Sequence, residues 1–218
     1  MFRLFSQFAL ERSLNSAYQA RLNKCGNVAE GVFWRSKSNQ FARFNSLLKQ
    51  IQKASPNQNI TIADVGCGYG ALYGYITEMP KPQQLLYCGV DINSAMIRAC
   101  KQQFPNKKNL FSLGRKPKHM VDFSLFSGTF NLCYTTNIKL WEDYILDNLH
   151  QSWRLSRYGV VLNLLCDKHS HIKNQIYYAN RTSFIKRASD LFGPTSATST
   201  PQVTKDVTFV ISREKALC

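Results

Sequence analysis

Two short stretches of the sequence carry residue types that can bind a charged small molecule. Asp64 ends a run of β-forming residues, and Gly66, Gly68 and Gly70 follow it at alternate positions. Glycines at a strand end permit positive φ angles and let a ligand approach the backbone, and the helix beyond presents free N–H groups. The second stretch ends in Asp91, 21 residues after Gly70. A carboxylate at the end of the second strand can accept both hydroxyl groups of a ribose.

Two classes of ligand use such a glycine turn. Dinucleotide enzymes carry G-x-G-x-x-G, with pyrophosphate at the helix N-terminus. In this sequence Ala71 stands at the sixth position, a variation that the dinucleotide pattern sometimes allows, and Asp64 lies two residues before the first glycine. Because a carboxylate there repels phosphate and attracts a cation, the turn favours a ligand that carries an ammonium group.

These residues need strands and helices to position them, and apolar runs alternate with amphipathic segments along the chain. Strands that alternate with helices predict a parallel sheet with helices on both faces. The predicted strands cover residues 60–65, 85–92, 110–113, 122–128, 159–166 and 207–214, and the predicted helices cover 13–24, 38–53, 71–78, 94–104, 141–155 and about 178–191.

The stretch "ADVGCGYG", together with the Asp91 stretch "YCGVDIN", resembles the cofactor motifs of class I S-adenosylmethionine-dependent methyltransferases. The stretches "WRSKSNQFARF", "SGTFNLCYTTNIKLWEDYI" and "GVVLNLL" are similar to a poorly characterised bacterial group of small members, so the likeness covers about residues 18 to 214. The resemblance implies an α/β, Rossmann-like fold with a mostly parallel seven-stranded sheet. It also implies a single domain, in which residues 1–55 form an N-terminal helical cover and residues 56–218 form the methyltransferase domain.

The resemblance implies S-adenosylmethionine as cofactor, S-adenosylhomocysteine as product and no metal. Ile92 would flank the adenine, Arg43 of a Q-x-x-R-F helix would hold the cofactor's carboxylate, and Asn131 would lie near the methyl donor. The cofactor-binding residues so implied are Asp64, Gly66, Cys67, Gly68, Gly70, Asp91, Ile92, Asn131, Gln40 and Arg43.

The chain also departs from the family's pattern. Gly114 and Arg115 stand where many members carry an acid that bonds the adenine's amine. A general base is needed only for an acceptor that holds its proton at neutral pH. The predicted catalytic residues are Asn131 and His119, and the other candidate bases are His150, His169 and His171. The aromatic residues that could line an acceptor pocket or belong to the core are Tyr134, Trp141, Tyr177 and Tyr178.

The acceptor stays open between alternatives. The chain carries 28 Lys and Arg residues against 13 Asp and Glu, a net charge of +15, and residues 101–120 hold six basic residues and no acid. This excess can attract nucleic acid, membrane or an acidic partner, or serve solubility alone. The sequence shows no OB or KH module, no N/D-P-P-Y/F motif and no Pro-Cys nucleophile. We therefore favour a small-molecule methyltransferase, with an RNA methyltransferase and a non-catalytic cofactor-binding or interaction protein as the alternatives.

The location of the protein is predicted from its cysteines and its hydropathy. None of the seven cysteines forms a C-x-x-C pair, which indicates reduced thiols in a cytoplasmic protein. No apolar run reaches about 18 residues, so no transmembrane helix is expected. The oligomeric state cannot be inferred from these features.

Overall fold

The computed structural model describes residues 2–55, 59–79 and 85–213, with side chains from Gln7 onward. Residues 1, 56, 214 and 218 are end points of the predicted segments 1–55, 56–218 and 207–214, and they lie outside the described residues. Within the described ranges the helices are α1 Phe2–Cys25, α2 Lys37–Ala54, α3 Ala71–Glu78, α4 Ser94–Gln103, α5 Ile138–Trp153 and α6 Arg181–Leu191. The strands are β1 Ile60–Val65, β2 Leu85–Asp91, β3 Phe111–Leu113, β4 Val121–Phe126, β5 Ser156–Asp167, β6 His171–Lys173, β7 Ile176–Asn180, β8 Thr195–Ser199 and β9 Asp206–Ser212.

The central sheet has the predicted, mostly parallel character. Seven strands run in the order β3-β2-β1-β4-β5-β9-β8, and β9 is antiparallel to both of its neighbours. The hairpin of β6 and β7 adds to the end of β5, where β7 pairs with Cys166 and Asp167. The sheet therefore contains the seven expected strands and a two-stranded addition.

Several predicted boundaries were wrong, and strands β6, β7 and β8 were not predicted. The predicted helix from residue 178 begins only at Arg181, because residues 176–180 form β7 and the Asn180 side chain caps α6 by accepting a hydrogen bond from Ser183 N. Strand β8 was not predicted, since its small polar residues lack the apolar pattern of a buried strand. Helix α1 begins at Phe2 instead of Ser13.

Apolar side chains form a core on each face of the sheet, as the alternation predicts. One core joins α2, α3 and α4 to the sheet through residues such as Leu47, Leu72 and Ile97. The other joins α1, α5 and α6 to the opposite face, with Leu14 and Trp141 among its buried residues. Helices thus pack against both faces of the sheet.

The connection from β3 to β4 contains no helix. Parallel strands are usually joined by a dozen or more residues that include a helix, but here residues 114–120 alone make the crossover. Leu10 and Leu14 of α1 belong to the core that contains Val65 and Val90 on this face, and Glu11 pairs with Arg115 of the crossover. Helix α1 therefore takes the position of the missing crossover helix. The division of the chain at residue 55 stays a prediction.

Candidate cofactor site

A cavity opens at the carboxyl ends of β1, β2 and β4, where α/β sheets bind nucleotides. It has about 800 Å³ of empty space, including the open solvent at its mouth. The predicted residues that line it are Gln40, Asp64, Gly66, Cys67, Gly68, Asp91 and Ile92. The structure thus brings together residues from three separate parts of the sequence.

The glycine turn has the left-handed backbone that the sequence predicts. The φ angles of Gly66, Gly68 and Gly70 are 81°, 55° and 85°. A Cβ atom on Gly66 would lie 2.7 Å from the Thr129 side chain, whereas one on Gly68 would meet only Val32, at 3.5 Å. Gly66 therefore lets the chain after β4 approach the turn. Gly70 does not line the cavity; it is the N-cap of α3.

The Asp91 carboxylate is held in place by backbone donors. Gly68 N donates to one carboxylate oxygen at 2.9 Å, and Asn93 N donates to the other at 2.8 Å. Burial raises the pKa of Asp91 to about 6, although these hydrogen bonds oppose the shift. Each oxygen keeps a further lone pair, so the carboxylate can accept hydroxyl groups from a ligand.

Asp64 lines the cavity, and only one of its two carboxylate oxygens is hydrogen-bonded within the described residues. The Tyr87 hydroxyl donates to Oδ2 at 2.8 Å, while buried Oδ1 has no hydrogen-bond partner among the described residues. The pKa of Asp64 is raised to about 7, mainly by burial and to a smaller extent by the charge of Asp91, and the hydrogen bond from Tyr87 opposes this shift. A buried oxygen of this kind needs a donor, and a cationic ligand would supply one.

Helix α1 forms one wall of the cavity through Leu14, Asn15 and Tyr18. The Asn93 side-chain amide donates to the backbone oxygen of Asn15 at 3.1 Å, which fixes α1 against the start of α4. Burial, with a smaller contribution from the charge of Asp91, raises the pKa of Tyr18. Sequence reasoning missed these residues because a helical pattern marks an apolar face without identifying what it covers.

Gln40 and Arg43 differ in their placement. Gln40 lines the cavity, and its side-chain oxygen accepts a hydrogen bond from the Tyr69 hydroxyl at 3.2 Å. Arg43 is buried, pairs with Asp206 at 2.6 Å, and stacks on the Trp34 ring with its guanidinium carbon 4.3 Å from the centroid. It is not among the cavity-lining residues, and the expected contact with the cofactor's carboxylate stays a prediction.

The predicted catalytic residues do not line the cavity. The Asn131 side chain accepts a hydrogen bond from Leu165 N at 3.2 Å, which ties the segment after β4 to β5. His119 is exposed in the crossover before β4. Ser127 and Thr129 line the cavity instead, and the buried Ser127 hydroxyl has no hydrogen-bond partner among the described residues. Their position directly after the fourth strand was the available sequence signal.

The other candidate residues lie elsewhere in the fold. His150 and His169 are exposed, and His171 stacks on Tyr178 with ring centroids 4.8 Å apart. Trp141 and Tyr177 are buried core residues, and half-buried Tyr134 packs against the same core. No group of His, Cys, Asp or Glu residues within 2–55, 59–79 and 85–213 could hold a metal ion.

The fold is Rossmann-like, and the cavity lies where proteins of this fold bind nucleotides. No protein-family model matches the chain. It is 30% identical over 136 residues to a Mycobacterium tuberculosis protein with a provisional methyltransferase name, a match that covers 61% of this chain and 79% of the relative.

Solved structures show the same fold at low sequence identity. An S-adenosylmethionine-bound amino pentose methyltransferase from Micromonospora echinaspora has a TM-score of 0.58 at 13% identity, over 80% of this chain and 91% of the other. Magnesium protoporphyrin IX methyltransferase from Synechocystis PCC 6803, with bound S-adenosylmethionine, has a TM-score of 0.51 at 15% identity, over 80% of each chain. The chain belongs to the class I S-adenosylmethionine-dependent methyltransferases. It is an enzyme, and S-adenosylmethionine is its cofactor.

Proposed function

We propose that this enzyme transfers the methyl group of S-adenosylmethionine to a small-molecule acceptor. The proposal rests on the observation that the N-terminal part of the chain covers the cavity. Helix α1 contributes Leu14, Asn15 and Tyr18 to its lining, and the segment before α2 contributes Val32 and Trp34. A site enclosed in this way suits a small acceptor better than a nucleic acid. The amino pentose and porphyrin methyltransferases of the same fold support the proposal by analogy.

The charges of the lining residues suit the cofactor. Asp64 and Asp91 face the cavity and no Lys or Arg does so among the described residues, which matches a ligand that carries a sulfonium and an ammonium group. In the proposal, Asp91 accepts the ribose hydroxyls, Asp64 accepts the ammonium group, and Ile92 flanks the adenine. Gln40 replaces Arg43 as the side chain that reaches the cofactor's carboxylate.

The cofactor supplies an activated methyl group for in-line displacement, so the protein's main task is alignment and exclusion of water. In the proposal, α1 and Trp34 exclude water from the cavity, and the glycine turn places the cofactor against backbone. Ser127 presents its unpaired hydroxyl at the end of β4, where it can orient the acceptor through a hydrogen bond.

Ser127→Ala is expected to lower kcat about three- to tenfold, because one orienting hydrogen bond is lost. The affinity for S-adenosylmethionine should stay within twofold, since Ser127 is proposed to contact the acceptor. Steady-state kinetics with calorimetry measures both quantities. The control is Ser196→Ala, because Ser196 is exposed on β8. Asn131→Ala is unsuitable as a control, because the Asn131 side chain is hydrogen-bonded to β5. If Ser127→Ala has the kcat of the wild type, the proposed role of Ser127 in orienting the acceptor is wrong.

The pH dependence of cofactor binding tests Asp64. Since its pKa is raised to about 7, protonation below that pH removes the charge that attracts the ligand. We expect S-adenosylmethionine affinity to fall roughly tenfold from about pH 8 to about pH 6, and Asp64→Asn to flatten this profile. The contribution of Asp64 to stability has the opposite sign: it is largest below the unfolded pKa and is lost as the pH rises through the folded pKa. A profile that is unchanged in the variant would contradict the assignment.

The small-molecule proposal is tested with labelled S-adenosylmethionine. Purified enzyme is incubated in parallel with a low-molecular-weight metabolite extract and with total transfer and ribosomal RNA. The proposal expects label to enter the small-molecule fraction with stoichiometric formation of S-adenosylhomocysteine. Incorporation into RNA alone, with steep salt dependence, would favour the RNA alternative instead.

A further inference from the structure

Two large apolar side chains lie exposed at the amino ends of neighbouring strands. Leu86 of β2 is 57% exposed, and Met120, just before β4, is 44% exposed. The register places Leu86 opposite Thr61, and Thr61 in turn bonds Asp122 of β4 through its backbone N–H at 2.8 Å. Leu86, Thr61 and Asp122 therefore form one row across the sheet, with Met120 two residues before its end.

Leu86 and Met120 are exposed on a face where the β3–β4 crossover contains no helix, whereas Asp122 within the row is buried. Leu86 alternates with Cys88 and Val90, which face the core that contains α1. Helix α1 lines the cavity at the carboxyl ends of the strands through Leu14, Asn15 and Tyr18. None of the described helices buries the Leu86 side chain near the amino end of β2.

Basic residues of the crossover lead along the chain to Met120. Lys116 and Lys118 of the crossover are exposed, and neither pairs with a carboxylate of the described residues. Arg157 is 50% exposed and neutralises Asp122 at 3.2 Å. From residue 92 to residue 121 the sequence contains no Asp or Glu. The face thus combines aliphatic side chains with an excess of positive charge.

We propose that this bare face, defined by Leu86, Met120, Lys116, Lys118 and Arg157, is a peripheral docking surface for an anionic phospholipid bilayer. A bilayer supplies both an apolar layer for Leu86 and Met120 and acidic headgroups for the lysines. RNA phosphates would bind the lysines, but RNA would leave the aliphatic side chains without a partner, because single-stranded bases stack on aromatic side chains. Within the described residues no helix has the length and apolar character to cross a membrane. This proposal is independent of the acceptor's identity.

Vesicle flotation of the full chain tests the proposal. We expect binding to vesicles of phosphatidylcholine mixed with phosphatidylglycerol, little binding to phosphatidylcholine alone, and weaker binding at high salt. K116Q/K118Q should weaken binding at least tenfold, since each lysine near an anionic surface strengthens binding about fivefold. L86S/M120S should weaken it at least threefold.

Two substitutions on α6 serve as matched controls. Leu191 is 59% exposed and Lys186 is also exposed, so L191S and K186Q should bind vesicles like wild type. Unchanged S-adenosylmethionine affinity in every variant shows that the folds are intact and that the cofactor site is separate. Absence of vesicle binding, equal binding to both lipid mixtures, or wild-type binding by L86S/M120S would overturn the proposal. A dimer that L86S/M120S abolishes, without vesicle binding, would assign the face to a second copy of the chain.

Discussion

Replacing Asp91 with alanine is expected to weaken S-adenosylmethionine binding at least tenfold. The change removes the proposed acceptor of both ribose hydroxyls, and hydrogen bonds to charged groups contribute about 1.5–3 kcal/mol each. It also releases Gly68 N and Asn93 N, which hold the glycine turn and the start of α4 to the same carboxylate. Calorimetric titration with the cofactor and with S-adenosylhomocysteine measures the loss.

The control for Asp91 is a second buried carboxylate away from the cavity. Asp122 bonds Thr61 and Arg157 at the opposite end of the sheet, so Asp122→Ala should reduce stability and leave cofactor affinity within about twofold. Unchanged affinity in Asp91→Ala would withdraw the ribose assignment.

Replacing Arg43 with methionine is expected to lower the free energy of unfolding by about 3–5 kcal/mol, because it leaves the buried Asp206 carboxylate without its partner. Asp206 is 1% exposed and also accepts a hydrogen bond from the Thr200 hydroxyl at 2.5 Å. Burial raises its pKa and Arg43 lowers it, so loss of the arginine favours the protonated form. Urea unfolding measures the change.

The R43M variant also distinguishes two roles of Arg43, the ion pair with Asp206 and a contact with the cofactor's carboxylate. If the ion pair is its function, R43M/D206N should recover part of the lost stability, and cofactor affinity in R43M should change less than threefold. A large loss of affinity with little loss of stability would instead support the contact with the cofactor's carboxylate that the family resemblance implies.

The cofactor end of the site could be predicted because its signals are local in the sequence. Asp64 and the glycines occupy a single strand-to-helix turn, and Asp91 ends the next strand, so strand order alone brings them together. Arg43 shows the limit of this reasoning. Its position on an amphipathic helix was visible, but its partner Asp206 is 163 residues away and could not be predicted from spacing.

The rest of the site depends on packing between distant segments. Tyr18 of α1, Trp34 before α2 and Ser127 after β4 line one cavity although they are far apart in the sequence. The helical pattern predicted part of α1, but it could not show which part of the sheet this helix would cover. Arg115 stands where many members of the family carry an acidic residue. The structure explains this difference, because Arg115 pairs with Glu11 and anchors α1.

Calorimetric titration of the purified full chain with S-adenosylhomocysteine tests the central claim most directly. The account predicts saturable binding at one site per chain, weakened by Asp91→Ala and not by Asp122→Ala. A folded protein that takes up nicotinamide dinucleotide instead, or that binds neither S-adenosylhomocysteine nor S-adenosylmethionine, would contradict it.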